Sequence, residues 1–253
     1  MPYGWTLDEL AHAGEEHLDP AYIAAYDRKA AVDPAPDLEM LRDFGLNVSS
    51  TLVDLGAGTG TFAITAAPFC RRVVAVDISA AMLDVAQAKA RQLGLSNIEF
   101  VRAGLLSYQH SGSPADFVYS RNALHHLPDF WKVLALQRII TILRPGGVLR
   151  LRDLIFSFEP EQTVSAIEAW LSHAAQRSED GWTREELETH IRQEYSTFSW
   201  LLESMLRHTG FTIHQAEYSP SGIFTAYVCR NTRPLAEPAS AASDGHLEGH
   251  DAG

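Results

Sequence analysis

Cysteine, lysine and long apolar runs are what this chain of 253 residues has least of. Only Cys70 and Cys229 are present, which excludes a disulfide framework and a cysteine-built metal site and leaves both thiols as small core residues. No apolar run approaches the roughly 20 residues that span a bilayer. The opening residues, M-P-Y-G-W-T-L-D-E-L, lack the basic start and apolar centre of a signal peptide. The expectation is a cytoplasmic protein with no membrane partner. Basic residues are also outnumbered: 20 Lys and Arg face 32 Asp and Glu, a formal net charge of −12. That balance argues against a nucleic-acid partner, whose phosphates would be repelled. Just 3 of the 20 are lysine in an Ala-rich chain, a composition of the kind GC-rich bacterial genomes encode.

What is present is ordinary for a soluble globule, with 46% hydrophobic and 21% charged residues. The length suits one α/β domain with decorations. Residues 1–47 read as an N-terminal helical cap. Asp19 is placed to cap a helix that Pro20 opens, and Tyr22, Ile23 and Tyr26 share one of its faces. A second helix, Asp37 to Phe44, stops at Gly45. Strands are then predicted at 51–55, 72–77, 97–102, 115–120 and 148–153, with helices between them; Ser79 caps one and the turn R-P-G-G at 144–147 closes another. Such alternation indicates βαβ units and a doubly wound, mostly parallel sheet. A helical insert is expected at about 156–209, with a capping box at Thr183 and Glu186. Two alternating runs around S-P-S-G form a C-terminal hairpin and add an antiparallel strand. The core unit is thus 48–231, and the polar, aperiodic 232–253 reads as a disordered tail.

The chemistry gathers at T-L-V-D-L-G-A-G-T-G-T-F, residues 51–62. Strand, glycine turn and helix in that order bring backbone against a polar ligand group. A dinucleotide fingerprint needs a glycine at position 61, where this chain has Thr61; its third glycine is Gly60. Asp77 closes the second strand, where a carboxylate accepts ribose hydroxyls. A nucleoside without a pyrophosphate is the ligand left.

On these residues the chain resembles the class I S-adenosylmethionine (SAM) dependent methyltransferases, over roughly 46–230. Asp54-Leu55-Gly56-Ala57-Gly58-Thr59-Gly60 is similar to the family's first motif, Asp77-Ile78 to its ribose-binding acid, and Asp116 to Leu127 to its fourth-strand motif. The R-P-G-G turn and the final hairpin also match. The resemblance implies a Rossmann-like methyltransferase fold with a seven-stranded sheet, SAM as cofactor and S-adenosylhomocysteine as product. It places Gly56, Ala57, Gly58 and Gly60 against the methionine portion, Asp54 at its amino group, Asp77 on the ribose, and Ile78 and Met82 near the adenine. Gly104, Leu105, Arg121 and Tyr26 complete the expected cofactor set. One departure stands out: after the third strand the family often carries an acid facing the adenine amino group, and this chain has Ala103-Gly104-Leu105.

For transfer to oxygen or nitrogen, the protein must position the acceptor and, for a hydroxyl, remove a proton. His126, His125 and Tyr195 are the catalytic candidates, beside Asn122 and Asp153, with His190 and Glu194 of the insert comparable to Tyr195. His125 and His126 are expected to face different sides of their turn, and the plainer reading of His190, Glu194 and Tyr195 is that they are solvated helix residues. No paired spacing among these groups points to a metal site. The absence of an N-P-P-Y sequence after the fourth strand argues against amino methylation of adenine or glutamine. The expected partner is a small-molecule acceptor, in a monomer or homodimer. A non-catalytic SAM-binding scaffold and an RNA methyltransferase are the competing readings.

Overall fold

The structure, a computed structural model, describes residues 4–12, 23, 26, 28, 29, 33–175 and 182–233. The helix expected at Asp19 and Pro20, with Tyr22, and the tail beyond residue 233 lie outside the described residues.

Strand β1 (Thr51–Leu55) is buried at every position, as befits a strand at the middle of a parallel sheet. It lies between β2 (Arg72–Asp77) and β4 (Ala115–Arg121), with β3 (Ile98–Arg102) outside β2. Beyond β4 comes β5 (Leu143–Phe156), then β8 (Phe224–Asn231) antiparallel to it, and β7 (Phe211–Tyr218) at the edge. The order is therefore β3-β2-β1-β4-β5-β8-β7. These seven strands with their antiparallel hairpin are the expected sheet, and a further short strand, β6 (Thr197–Phe198), pairs with the end of β5 off that path. Two residues carry no readable period. R-P-G-G is likewise no separate turn: it forms the first part of β5, where the register against β4 slips between Ala115 and Phe117.

Alternate side chains of each central strand feed two cores. On one face Val53, Leu55, Val74 and Val76 pack beneath α4 (Asp129–Ile142) and α7 (Ser199–His208). On the other, Leu52, Val73 and Phe117 meet α1 (Ala35–Asp43) and α2 (Thr61–Ala66). Helix α3 (Ala80–Gln92) starts at Ser79, whose Oγ accepts from Met82 N at 3.2 Å. Cys70 and Cys229 are free and buried, as expected of core residues. Between β5 and β7 lie α5 (Thr163–Ala175), α6 (Arg184–Gln193) and α7, the middle one opened by the anticipated Thr183–Glu186 capping box. No helix among the described residues is long and apolar enough to cross a membrane.

A buried ion-pair cluster ties α1 to the sheet. Asp37 accepts from Tyr119 Oη at 2.9 Å and from Arg150 Nε at 2.8 Å, while Arg121 approaches to 3.5 Å. Burial, with the Asp37 charge, pushes the Tyr119 hydroxyl well above its ordinary range.

Candidate functional site

The glycine turn at the carboxyl end of β1 is shaped by contacts that side chains would forbid. Gly56 and Ala57 each donate to Val76 O at 2.9 Å. Gly56 has φ 76°, and a Cβ there would lie 2.5 Å from that of Ala123. Gly60 has φ 78°, and its Cβ would lie 2.8 Å from that of Ala86 on α3. Gly60 lines neither cavity at this turn, so the structure assigns it to helix packing, whereas the other expected cofactor residues do line them. Asp77 stabilises the turn from below, its Oδ2 accepting from Gly58 N and its Oδ1 from Ser79 N, both at 2.8 Å.

Two adjoining cavities open here. One runs from the turn past Asp77, Ile78 and Met82 to Gly104 and Leu105; the other, of about 280 Å³, is bounded by Asp54, Ala57 and Arg121. Several buried polar atoms around them have no hydrogen-bond partner: Asp54 Oδ2, Arg121 Nε and Nη1, and Asn122 Oδ1. Burial, reinforced by the charge of Asp77, pushes the Asp54 carboxyl up to about 8. Asn122 adopts φ 51°, a left-handed conformation rare outside glycine, held by donation from its N–H to Arg152 O at 2.9 Å.

The sequence reading missed Glu9. Its Oε1 accepts from Leu106 N at 2.8 Å, and a Cβ on Gly104 would overlap its carboxylate, lying 2.6 Å from Oε2. Glu9 thereby lines the cavity beside Gly104, at the point where the chain departs from the family's acidic pattern. No local signal links residues 97 apart in sequence.

Across Tyr26, Asn122 and His126 lies a third, larger cavity of about 800 Å³, within the range of small-molecule sites. His125 and His126, expected on different sides of their turn, both line it, and of the two only His126 also borders the cofactor cavity. They sit on a 3-10 turn, Leu124–His126, with ring centroids 4.2 Å apart. Asp153 lines none of these three cavities. It is buried and anchors the turn, Oδ2 accepting from Leu124 N at 2.7 Å and His125 N at 3.2 Å, with Oδ1 against His125 Nδ1. Burial disfavours a charged imidazole, but the carboxylates of Asp153 and Glu194 outweigh it and hold His125 up to about 10.

His190 and Glu194 are not solvated residues either. The Glu194 side chain is 13% exposed and places Oε2 3.0 Å from His125 Nε2 and against His190 Nδ1. The donor atoms of His125, His190 and Glu194 all lie within 4.8 Å of one another, a grouping able to hold a metal ion that sequence spacing had not suggested. Tyr195 is held through its backbone: its N–H donates to His125 O at 2.8 Å and its carbonyl accepts from buried Lys132, which also donates to Asp129 at 2.8 Å. Its ring lines the large cavity and is 40% exposed.

A family model described as a methyltransferase domain matches residues 52–147. Phosphoethanolamine N-methyltransferase 2 of Caenorhabditis elegans is 31% identical over 113 residues, 44% of this chain and 25% of that protein. An uncharacterized methyltransferase of Bacillus subtilis, YcgJ, is 25% identical over 146 residues, 58% of this chain and 55% of that protein. The chain thus spans a quarter of one relative and about half of the other. Among solved structures, magnesium protoporphyrin IX methyltransferase from Synechocystis, with bound SAM, superposes with a TM-score of 0.62 over 90% of this chain and 100% of that one, at 16% identity.

Proposed function

We propose that this chain, a member of the class I SAM-dependent methyltransferases, transfers the SAM methyl group to an oxygen or nitrogen atom of a small metabolite held in the 800 Å³ cavity. The observation that carries this reading is the shared wall: Tyr26, Asn122 and His126 line both the cofactor cavity and the larger one. An acceptor there lies directly across from the cofactor.

The residues present fit the cofactor. Asp54 Oδ2 and Arg121 Nε are buried without hydrogen-bond partners, one suited to an ammonium and the other to a carboxylate. Asp77 suits the ribose hydroxyls, and Ile78 and Met82 the adenine face. When bound, the sulfonium supplies an already activated methyl group. The chain's own work is in-line placement and removal of an acceptor proton where the acceptor is a hydroxyl. His125 has both ring nitrogens engaged, Nδ1 by Asp153 and Nε2 by Glu194, so it is poorly placed to take that proton. His126, on the shared wall, is the better placed of the pair, with Tyr195 across the cavity.

The acidic charge balance supports a small acceptor over RNA. The test is to incubate the protein with methyl-labelled SAM and fractionated metabolites: label should move to compounds small enough for the cavity. SAM binding without transfer to any fraction would instead identify a scaffold.

A further inference from the structure

The cluster at the floor of the large cavity has a composition and geometry that methyl transfer alone does not require. Two imidazoles and one carboxylate converge from separate parts of the fold. His125 comes from the turn after β4, whereas His190 and Glu194 stand one helical turn apart at the end of α6. Their donor atoms lie within 4.8 Å of one another, and two histidines with one carboxylate form a donor set used by zinc and by non-haem iron.

Glu194 Oε2 lies 3.0 Å from His125 Nε2 and touches His190 Nδ1, so one carboxylate oxygen and two ring nitrogens meet at one point on the cavity wall. His125 also has the support that metal-bound imidazoles usually have: Asp153 holds its Nδ1 and fixes the Nε2 edge toward Glu194. The ligands leave one side open, because all three also line the 800 Å³ cavity. Catalytic sites keep such an open position, and structural sites close it.

We propose that His125, His190 and Glu194 bind one divalent transition-metal ion, of the zinc or iron class, with its open coordination position facing the acceptor cavity. An acceptor oxygen coordinated there would be oriented and made easier to deprotonate. That last role rests on the methyltransferase reading; the binding of the ion does not.

The test uses the full chain, stripped of metal and titrated with Co²⁺, whose visible absorption reports low-coordinate nitrogen and oxygen ligation. One equivalent should bind and be displaced by Zn²⁺. His190→Ala and Glu194→Gln should each abolish the absorption, and Asp153→Asn should weaken binding about 10–100-fold. His190 lies outside the cofactor cavities, so SAM affinity measured by calorimetry should be unchanged in His190→Ala, which also confirms folding. A wild-type protein that binds SAM but takes up no Co²⁺, or Co²⁺ binding that survives both substitutions, overturns the metal site and leaves the methyltransferase reading standing.

Discussion

The Glu9 carboxylate occupies the space that a side chain on Gly104 would fill, with its Oε1 2.8 Å from Leu106 N. An acid from the first dozen residues thus stands beside the adenine end of the expected cofactor site, and the absence of an acid after β3 leaves room for it. Glu9→Gln should weaken SAM binding about tenfold, in line with roughly 1.5–3 kcal/mol for hydrogen bonds to charged groups. Gly104→Ala should act in the same direction by displacing Glu9. Calorimetry on both single variants and the pair decides the matter: non-additive losses are expected, and additive ones would show that the two residues act separately.

Asp77→Ala should reduce SAM affinity by roughly 100-fold, since a charged acceptor for two hydroxyls is lost. The fold should survive, because the two backbone donors that Asp77 serves, Gly58 N and Ser79 N, are in a part-buried, ligand-facing turn. Circular dichroism and calorimetry together check this. Unchanged SAM binding would remove Asp77 from the site.

Asp54 makes cofactor affinity depend on pH. Its carboxyl is raised from 3.8 to about 8, by burial first and then by Asp77. Between those values the folded protein holds a proton that the unfolded chain has released, so this group's contribution to stability is complete below 3.8 and is lost as pH rises toward 8. A cationic ligand favours the ionised form, so SAM binding should release a proton below pH 8 and tighten as pH rises to that value. Calorimetry in buffers of different ionisation enthalpy measures the proton count. Asp54→Asn should abolish the release.

Asp153→Ala should cost roughly 3–5 kcal/mol of stability, the range for breaking a buried charged pair. It would strand Leu124 N, His125 N and Leu154 N as well as the His125 ring. Denaturant unfolding gives the loss directly. His126→Ala, by contrast, should leave stability nearly unchanged and lower turnover less than Asp77→Ala lowers SAM binding.

Local chemistry made the frame of this protein legible. The β-branched run at 72–77, the three glycines after β1 and the acid closing β2 each had a direct backbone reason, and the sheet followed from their alternation with helices. What escaped depends on packing between distant segments. Strand β6 is two residues long and exists only because β5 runs on to Phe156. Glu9 meets Leu106 across 97 positions. His190 and Glu194 sit in the strongly polar R-E-E-L-E-T-H-I-R-Q-E, which reads as a solvated helix until α6 is seen against His125. The doubled histidine was visible, but the placing of the His125 ring depends on Asp153, a residue from another strand.

The most direct test of the account is to supply methyl-labelled SAM with small-metabolite and RNA fractions in parallel and to follow the label together with S-adenosylhomocysteine release. The account predicts label on an oxygen or nitrogen of a low-mass compound, in proportion to S-adenosylhomocysteine formed, and loss of that transfer in Asp77→Ala. Label in the RNA fraction, or SAM bound without transfer to either fraction, would contradict it.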